Sequence, residues 1–320
     1  MNYQETLLKQ IRKQISDKGS INDEIASVLQ ISYDASHRRV SGKSKFSIEE
    51  TALLANHYNI SLDGLFFQKE KVIIEKTIEV SSLAEMQLYF HNSAIKITSL
   101  TRDSNTVMCY SAKDIPLFYF MDATIMSKFK AYVWLNLLDA ETSKVTFENF
   151  VITESFLESM TKLKTAYEKV EVKEIWNDTT INSSLQQILY FYEAGLLGFD
   201  SANELFDDLE SIINKIKKKC NDSNSKFSIY YNELVMLNNN LLFETKEKLT
   251  LFASYTLLGY FITENDESCQ NVKRWFYRQI ANSKPLNSSG IKEQQVFFNK
   301  AIRKIDFYRN QLNSQVDLMY

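Results

Sequence analysis

Three helix-start signals follow one another closely in the first part of the chain. Ser20, Ser32 and Ser47 each stand just before a run with apolar residues at helical spacing. A serine at this position can accept a hydrogen bond from a free backbone N–H of the first helical turn. Glu50 stands three residues after Ser47, which completes a capping box. With an amphipathic run over 3–16 and a short apolar segment further on, these signals predict five short helices before residue 70.

The second and third of these helices are joined by a very tight turn. Only two or three residues, near 30–32, separate them, and Gly42 is a natural end for the later helix. A helix, a tight turn and a second helix describe a helix-turn-helix, whose second helix enters the major groove of DNA. Its first residues reach base edges, where they donate or accept hydrogen bonds or pack against thymine methyl groups. The base-reading candidates are Tyr33, Asp34, Ser36 and His37.

Positive charge is concentrated in the run 31–50, which has no acid between Asp34 and Glu49. Because the whole chain has a net charge of -3, binding to a polyanion requires a local patch of this kind. Cations beside a recognition helix pair with phosphates, and so do backbone N–H groups at helix starts. A solvated basic face on an ordinary helical bundle is the plainer alternative. The phosphate-binding candidates are Asn22, Ser32, Arg38, Arg39, Lys43 and Lys45.

The segment "SINDEIASVLQISYDASHRRVSGKSKFSIEETALLANHYNISLDGLF" resembles the Cro and lambda-repressor-like helix-turn-helix family, also called XRE, of bacterial transcription regulators. Asn22 stands where that family has a Gln or a similar polar residue, and Ala26 matches its small mid-helix residue. Gln30 stands where the family often has a turn glycine, and Gly42 matches the glycine that closes the recognition helix. The resemblance covers about residues 1–70 and implies sequence-specific binding to double-stranded DNA.

Two residues depart from the pattern of that family. Ser36 and Arg39 stand where the family usually has apolar core residues. We expect Val40 and Tyr33 to supply the missing core contacts through a rotated helix. A rotation of this kind would shift the base-reading positions by about one residue.

The remaining chain is predicted to be rich in long helices. It has 320 residues with Gly 7 and Pro 2, and such scarcity favours uninterrupted helices over a turn-rich sandwich or barrel. Runs of β-type residues flank "LNNN" at 237–240 and predict a hairpin or a three-stranded meander. The predicted fold class is therefore mainly α: an N-terminal five-helix helix-turn-helix bundle, followed by an α-rich domain with a small antiparallel sheet. The predicted domains are a DNA-binding domain at 1–70, a linker with a candidate dimerisation helix at 71–105, and a regulatory and dimerisation domain at 106–320.

Several function classes find no support in the sequence. Neither a nucleotide-binding glycine loop nor a G-x-S-x-G motif occurs, and no His pairs with another His or with Cys at metal-ligand spacing. We therefore expect no enzyme activity, no catalytic residue, no cofactor and no metal. No apolar window approaches the roughly 20 residues of a membrane span, and the N-terminus lacks the apolar stretch of a signal peptide. Three widely separated cysteines favour a reducing compartment, so we expect a cytoplasmic protein without a membrane partner.

The sequence predicts a DNA-binding transcription regulator whose C-terminal domain dimerises and responds to a small-molecule or peptide effector. A homodimer is expected because two half-sites on a two-fold axis are the usual way to gain affinity. One alternative is an interaction or adaptor module that keeps the fold but has lost base reading, with Ser36 and Arg39 as the hint. A second alternative is a sensor whose main role is to bind a peptide or a small molecule.

Overall fold

The chain divides into two compact units, residues 1–73 and 74–320. The computed structural model describes residues 3–15, 20–66, 72–139, 144–222, 225–287 and 291–317. We refer to the two parts as the N-terminal unit and the C-terminal unit. No helix in the described ranges is long and apolar enough to cross a membrane.

The N-terminal unit is a bundle of short helices around a small apolar core. Leu7, Ile11, Ile25 and Leu54 are among the buried side chains of that core. The helices are α1 (Tyr3–Arg12), α2 (Ile21–Leu29), α3 (Tyr33–Val40), α4 (Ile48–His57) and α5 (Leu62–Phe66).

The predicted helix starts are present with one difference. Ser32 accepts a hydrogen bond from the Ala35 N–H at 3.3 Å, and Ser47 and Glu50 form the complete capping box of α4. Ser20 lies in the N-cap position of α2 with extended backbone, but its hydroxyl makes no capping bond. The acids in the first turn of α2, Asp23 and Glu24, still favour that helix end through the helix dipole.

The C-terminal unit combines long helices with one sheet. Its helices are α6 (Leu83–Leu100), α7 (Ile125–Leu138), α8 (Glu154–Lys169), α9 (Asn182–Glu193), α10 (Phe199–Cys220), α11 (Asp266–Ala281) and α12 (Ile291–Asp317). Its strands are β1 (Glu75–Lys76), β2 (Val107–Ser111), β3 (Glu171–Trp176), β4 (Phe227–Tyr231), β5 (Asn240–Glu244), β6 (Leu249–Ser254), β7 (Tyr260–Thr263) and β8 (Lys284–Pro285). Short 3₁₀ helices lie at Leu117–Phe120 and Phe147–Asn149.

The predicted small antiparallel sheet is wrong. The described residues form one eight-stranded mixed sheet in the order β1-β7-β6-β5-β2-β3-β4-β8. β2, β3 and β4 are parallel neighbours, and the other pairs are antiparallel. Parallel neighbours require long crossovers, and the helices α7 to α10 supply them. The segment at 237–240 is therefore no hairpin turn, because β4 pairs with β3 and β8 while β5 pairs with β2 and β6. The predicted three-stranded meander is present just after it, as the antiparallel strands β5, β6 and β7 of the larger sheet.

Helices cover both faces of this sheet. On one face, Cys109 and Ile175 pack with Cys269 and Phe276 of α11. On the other face, the remaining long helices form the main core, which explains why the strand residues alternate between two separate apolar clusters. α6, in the segment predicted as a candidate dimerisation helix, buries Met86 and its apolar neighbours in this main core, and its role in dimerisation stays a prediction.

Candidate nucleic-acid interface

The turn before α3 fixes the direction of that helix. α2 ends at Leu29, and the next residue, Gln30, has a left-handed backbone with φ 54°. The Ile31 N–H donates to the carbonyl of Ala26 at 3.0 Å. Ser32 then caps α3. The residue type that relieves strain at such a turn is glycine, because a side chain in the left-handed region costs about 1–2 kcal/mol. The tight turn is therefore built without the turn glycine that its position favours.

Ser36 lies on the inner face of α3 and is fully buried. Its hydroxyl donates to the backbone carbonyl of Asn22 at 2.7 Å, so the polar atom has a partner. The bond ties the middle of α3 to the first turn of α2. Ser36 therefore has a hydrogen-bond partner inside the unit and is not accessible to solvent.

Arg39 also faces inward, toward the start of α4. Its Nε donates to Glu50 Oε2 at 2.9 Å, its Nη2 donates to Oε1 at 2.6 Å, and its Nη1 donates to the carbonyl of Ala35 at 3.0 Å. This two-pronged contact raises the pKa of Arg39 and lowers the pKa of Glu50, with the side-chain hydrogen bond as the largest cause in both. The charge of Arg39 is therefore compensated within the unit.

Gln4 makes contacts with the loop after α3 that no pattern in the sequence indicated. Its side-chain amide donates to the carbonyls of Arg39 at 2.7 Å and Ser44 at 3.0 Å, and its Oε1 accepts from the Phe46 N–H at 3.1 Å. These bonds hold the loop after α3 against α1. No periodicity or cap signal marks such a long-range contact in a sequence.

The outer face of α3 carries the remaining candidates of that helix. Tyr33, Asp34, His37 and Arg38 are all exposed, and their spacing of three and four residues places them on one face. Asn22 is half-buried, and its amide donates to the Tyr33 hydroxyl at 3.4 Å. The structure therefore places three of the base-reading candidates and Arg38 on one exposed face beside Asn22, and it separates them from Ser36.

The cations beside this face are uncompensated. The side chains of Arg38, Lys43 and Lys45 are exposed and make no ion pair or hydrogen bond with any described residue. Asp34 is the acid on the same face of α3. An exposed helix face beside several uncompensated cations is the arrangement that contacts phosphates and base edges.

A buried carboxylate in the C-terminal unit is a second feature that the sequence did not indicate. Glu174 of β3 is fully buried and accepts hydrogen bonds from Tyr167 at 2.8 Å, Trp176 at 2.8 Å and Tyr119 at 3.1 Å. Burial raises its pKa to about 7, although the three donors and Lys219 favour the charged form. Among the described residues, no group of three or more His, Cys, Asp or Glu side chains is placed to hold a metal ion.

The comparison with protein families supports a DNA-binding class for the first part of the chain. Residues 2–118 match the model of the BetR domain, a helix-turn-helix DNA-binding family of transcription regulators. The match includes the N-terminal unit and continues through β1, α6 and β2. Neither the search of curated proteins nor the search of solved structures gave a significant match.

Proposed function

We propose that this chain is a bacterial transcription regulator of the XRE type that reads double-stranded DNA with the outer face of α3. The BetR match supports DNA binding and transcription regulation. The observation that carries the proposal further is the separation of roles on α3. Ser36 and Arg39 hold the helix in place, while the exposed face keeps residues suited to base edges beside uncompensated cations.

In this proposal Tyr33, Asp34 and His37 contact base edges. A phenol and an imidazole can donate or accept a hydrogen bond in the major groove, and a carboxylate can accept one. Their first-turn and second-turn positions are those that a recognition helix presents to the bases.

The phosphate contacts come from Arg38, Lys43 and Lys45. Asn22 and Ser32 lie at the first turn of α2 and at the N-cap of α3, where backbone N–H groups can also face phosphates. Few such contacts come from one copy of the unit. We therefore propose that the protein acts as a homodimer on two half-sites, with dimerisation and effector response assigned to the C-terminal unit.

The proposed protein acts in the cytoplasm by binding alone. It requires no catalytic residue, cofactor or metal, and its response to a signal depends on a small-molecule or peptide effector.

The test begins with selection of random duplex DNA by the full-length protein and sequencing of the recovered sites. The expected result is an inverted repeat whose half-site spacing reports the dimer geometry. Failure to recover any motif, with only weak salt-sensitive binding, would contradict the proposal and favour the adaptor alternative.

Three variants then test the assignment of residues on the recovered site. Arg38→Ala is expected to weaken binding to all sequences alike and to reduce the salt dependence by about one phosphate contact. His37→Ala is expected to relax specificity at one base position, at a cost of about 1–3 kcal/mol for the preferred base. Lys9→Ala on α1 is the control, because it also removes one exposed positive charge but lies on a different helix, well before α3 in the sequence. Equal affinities for Arg38→Ala and Lys9→Ala would contradict the assignment.

A further inference from the structure

A cavity of about 430 Å³ lies in the C-terminal unit between β1, α6 and the main-core face of the sheet. We call it the β1–α6 pocket. Its volume falls within the range of small-molecule sites, and most of its wall is apolar. The apolar wall includes Ile78, Ile97, Leu163, Leu241, Phe252 and Ile262.

The uncharged polar side chains that line the pocket carry hydroxyl groups, apart from the amide of Asn92. Burial raises the pKa of Tyr260 to about 12 and raises the pKa of Tyr89 and Tyr110 as well. The Tyr110 and Tyr260 hydroxyls interact with each other, and Tyr89 interacts with the hydroxyl of Ser93. These phenols therefore stay protonated at neutral pH and offer uncharged hydrogen-bonding points to a ligand.

The charges of the pocket lie at its surface and compensate one another. Lys96 of α6 donates to Glu75 of β1 at 2.6 Å, and Lys76 pairs with Glu79. No cation that lines the pocket is thus left to neutralise an acidic ligand in the described structure. An anion inside would lose its hydration without a partner, which is costly.

We infer that the β1–α6 pocket binds a neutral, mainly apolar small molecule that carries one or two hydroxyl or carbonyl oxygens. This inference names the effector site of the proposed regulator and so rests on the proposed function. β1 lies just after the boundary at residue 73, and it consists of two residues, both of which pair with β7. A ligand in the pocket adds contacts to this short edge strand, which is where the chain enters the C-terminal unit.

The test uses the neutral fluorescent probe N-phenyl-1-naphthylamine with the full-length chain and without DNA. Saturable binding of one probe per chain is expected. Ile97→Trp fills the cavity from α6 and should weaken probe binding at least tenfold. Leu88→Trp on the same helix is the matched control, because Leu88 is 50% exposed and does not line the pocket, and it should bind like the unchanged protein.

A second variant and a second measurement locate the probe. Ser93→Leu replaces a pocket hydroxyl by a larger apolar side chain and should also weaken binding. Because it adds less volume than Ile97→Trp, it serves as the test if that variant does not fold. Hydrogen exchange of residues 75–78 should slow on probe binding, because the Thr77 N–H donates to the Tyr260 carbonyl beside the pocket. Absence of saturable binding, or equal binding by the pocket variants and Leu88→Trp, would overturn the inference. Since no DNA is present, failure of DNA recognition would leave this result unaffected.

Discussion

Replacement of Glu50 by alanine tests how the N-terminal unit holds its recognition helix. Glu50 accepts two hydrogen bonds from Arg39 and a third from the Ser47 N–H at 3.0 Å. One side chain thus joins α3 to α4 and completes the cap of α4. Glu50→Ala removes both contacts and leaves Arg39, whose side chain is 22% exposed, without its acid.

The expected cost follows from these contacts. Loss of the cap contact costs about 1 kcal/mol. Loss of the partly screened, two-pronged pair costs a further 1–2 kcal/mol or so, between the values for exposed pairs and for hydrogen bonds to charged groups. We therefore expect Glu50→Ala to lower the free energy of unfolding of this unit by about 2–3 kcal/mol. At 1.4 kcal/mol for each tenfold change, this corresponds to roughly 30- to 150-fold lower hydrogen-exchange protection.

Hydrogen exchange followed by mass spectrometry is the suitable assay, because it reports α3 and α4 separately from the C-terminal unit. The control is Glu49→Ala, since Glu49 is adjacent in sequence, exposed and outside the Arg39 contact. Equal protection of α3 in the two variants would refute the reasoning.

The same contact predicts a dependence on pH with a defined sign. The pKa of Glu50 is lowered in the folded unit, first by the hydrogen bond from Arg39. The stabilisation of the folded unit by the Glu50 carboxylate is therefore fully present above the pKa of the unfolded chain, about 4.3. It is lost as the pH falls through the lower pKa that Glu50 has in the folded unit. Glu50→Ala should remove this part of the acid sensitivity.

Two further substitutions and one labelling experiment test other parts of the structure. Gln30→Gly should raise exchange protection in α2 and α3 by about 1 kcal/mol, because it relieves the left-handed strain at φ 54°; lower protection would contradict this. Burial raises the pKa of Glu174 to about 7, so the folded protein keeps a proton that the unfolded chain releases near pH 4.3, and stability falls as the pH rises between these values. Glu174→Gln should flatten that dependence in denaturant titrations followed by tryptophan fluorescence at pH 5 and 7, and an unchanged slope would show that another group causes it. Burial raises the pKa of Cys109 and Cys220 to about 12, and it also raises the pKa of Cys269. Ellman's reagent should therefore label no thiol of the native protein at pH 8 and three thiols in guanidinium, and fast labelling of the native protein would contradict the burial.

The N-terminal unit was predictable because its signals are local. The capping hydrogen bonds of Ser32, Ser47 and Glu50 reach backbone N–H groups only three residues away. Their residue spacing in the sequence is therefore enough to predict these bonds. The contact of Gln4 with residues about 40 positions away has no local signature, and neither does the pairing of Arg39 with Glu50. The base-reading candidates were chosen as the first residues of the second helix, and this choice included Ser36, which is fully buried.

The sheet was misjudged because its pairing is not local. β3 has a carboxylate at Glu174 on a buried face, which weakens the apolar pattern that marks a parallel strand. β1 and β8 have two residues each and exist only through their partners. The runs on the two sides of 237–240 do not pair with each other, since β4 pairs with the distant strands β3 and β8. The local part of the pattern was correct, because β5, β6 and β7 form a three-stranded antiparallel meander.

The inward contacts of Ser36 and Arg39 bear on the choice between a DNA reader and an adaptor. Their polar character was the hint that base reading had been lost, because the related pattern has apolar residues at those positions. In the structure, each is explained by a partner inside the unit: Ser36 by the carbonyl of Asn22 and Arg39 by Glu50. A buried polar side chain with a hydrogen-bond partner can hold the helix in place as a buried apolar side chain would. The exposed face of α3 is not involved in these contacts. The hint therefore no longer favours the adaptor, and the uncompensated Arg38, Lys43 and Lys45 favour a partner that carries phosphates.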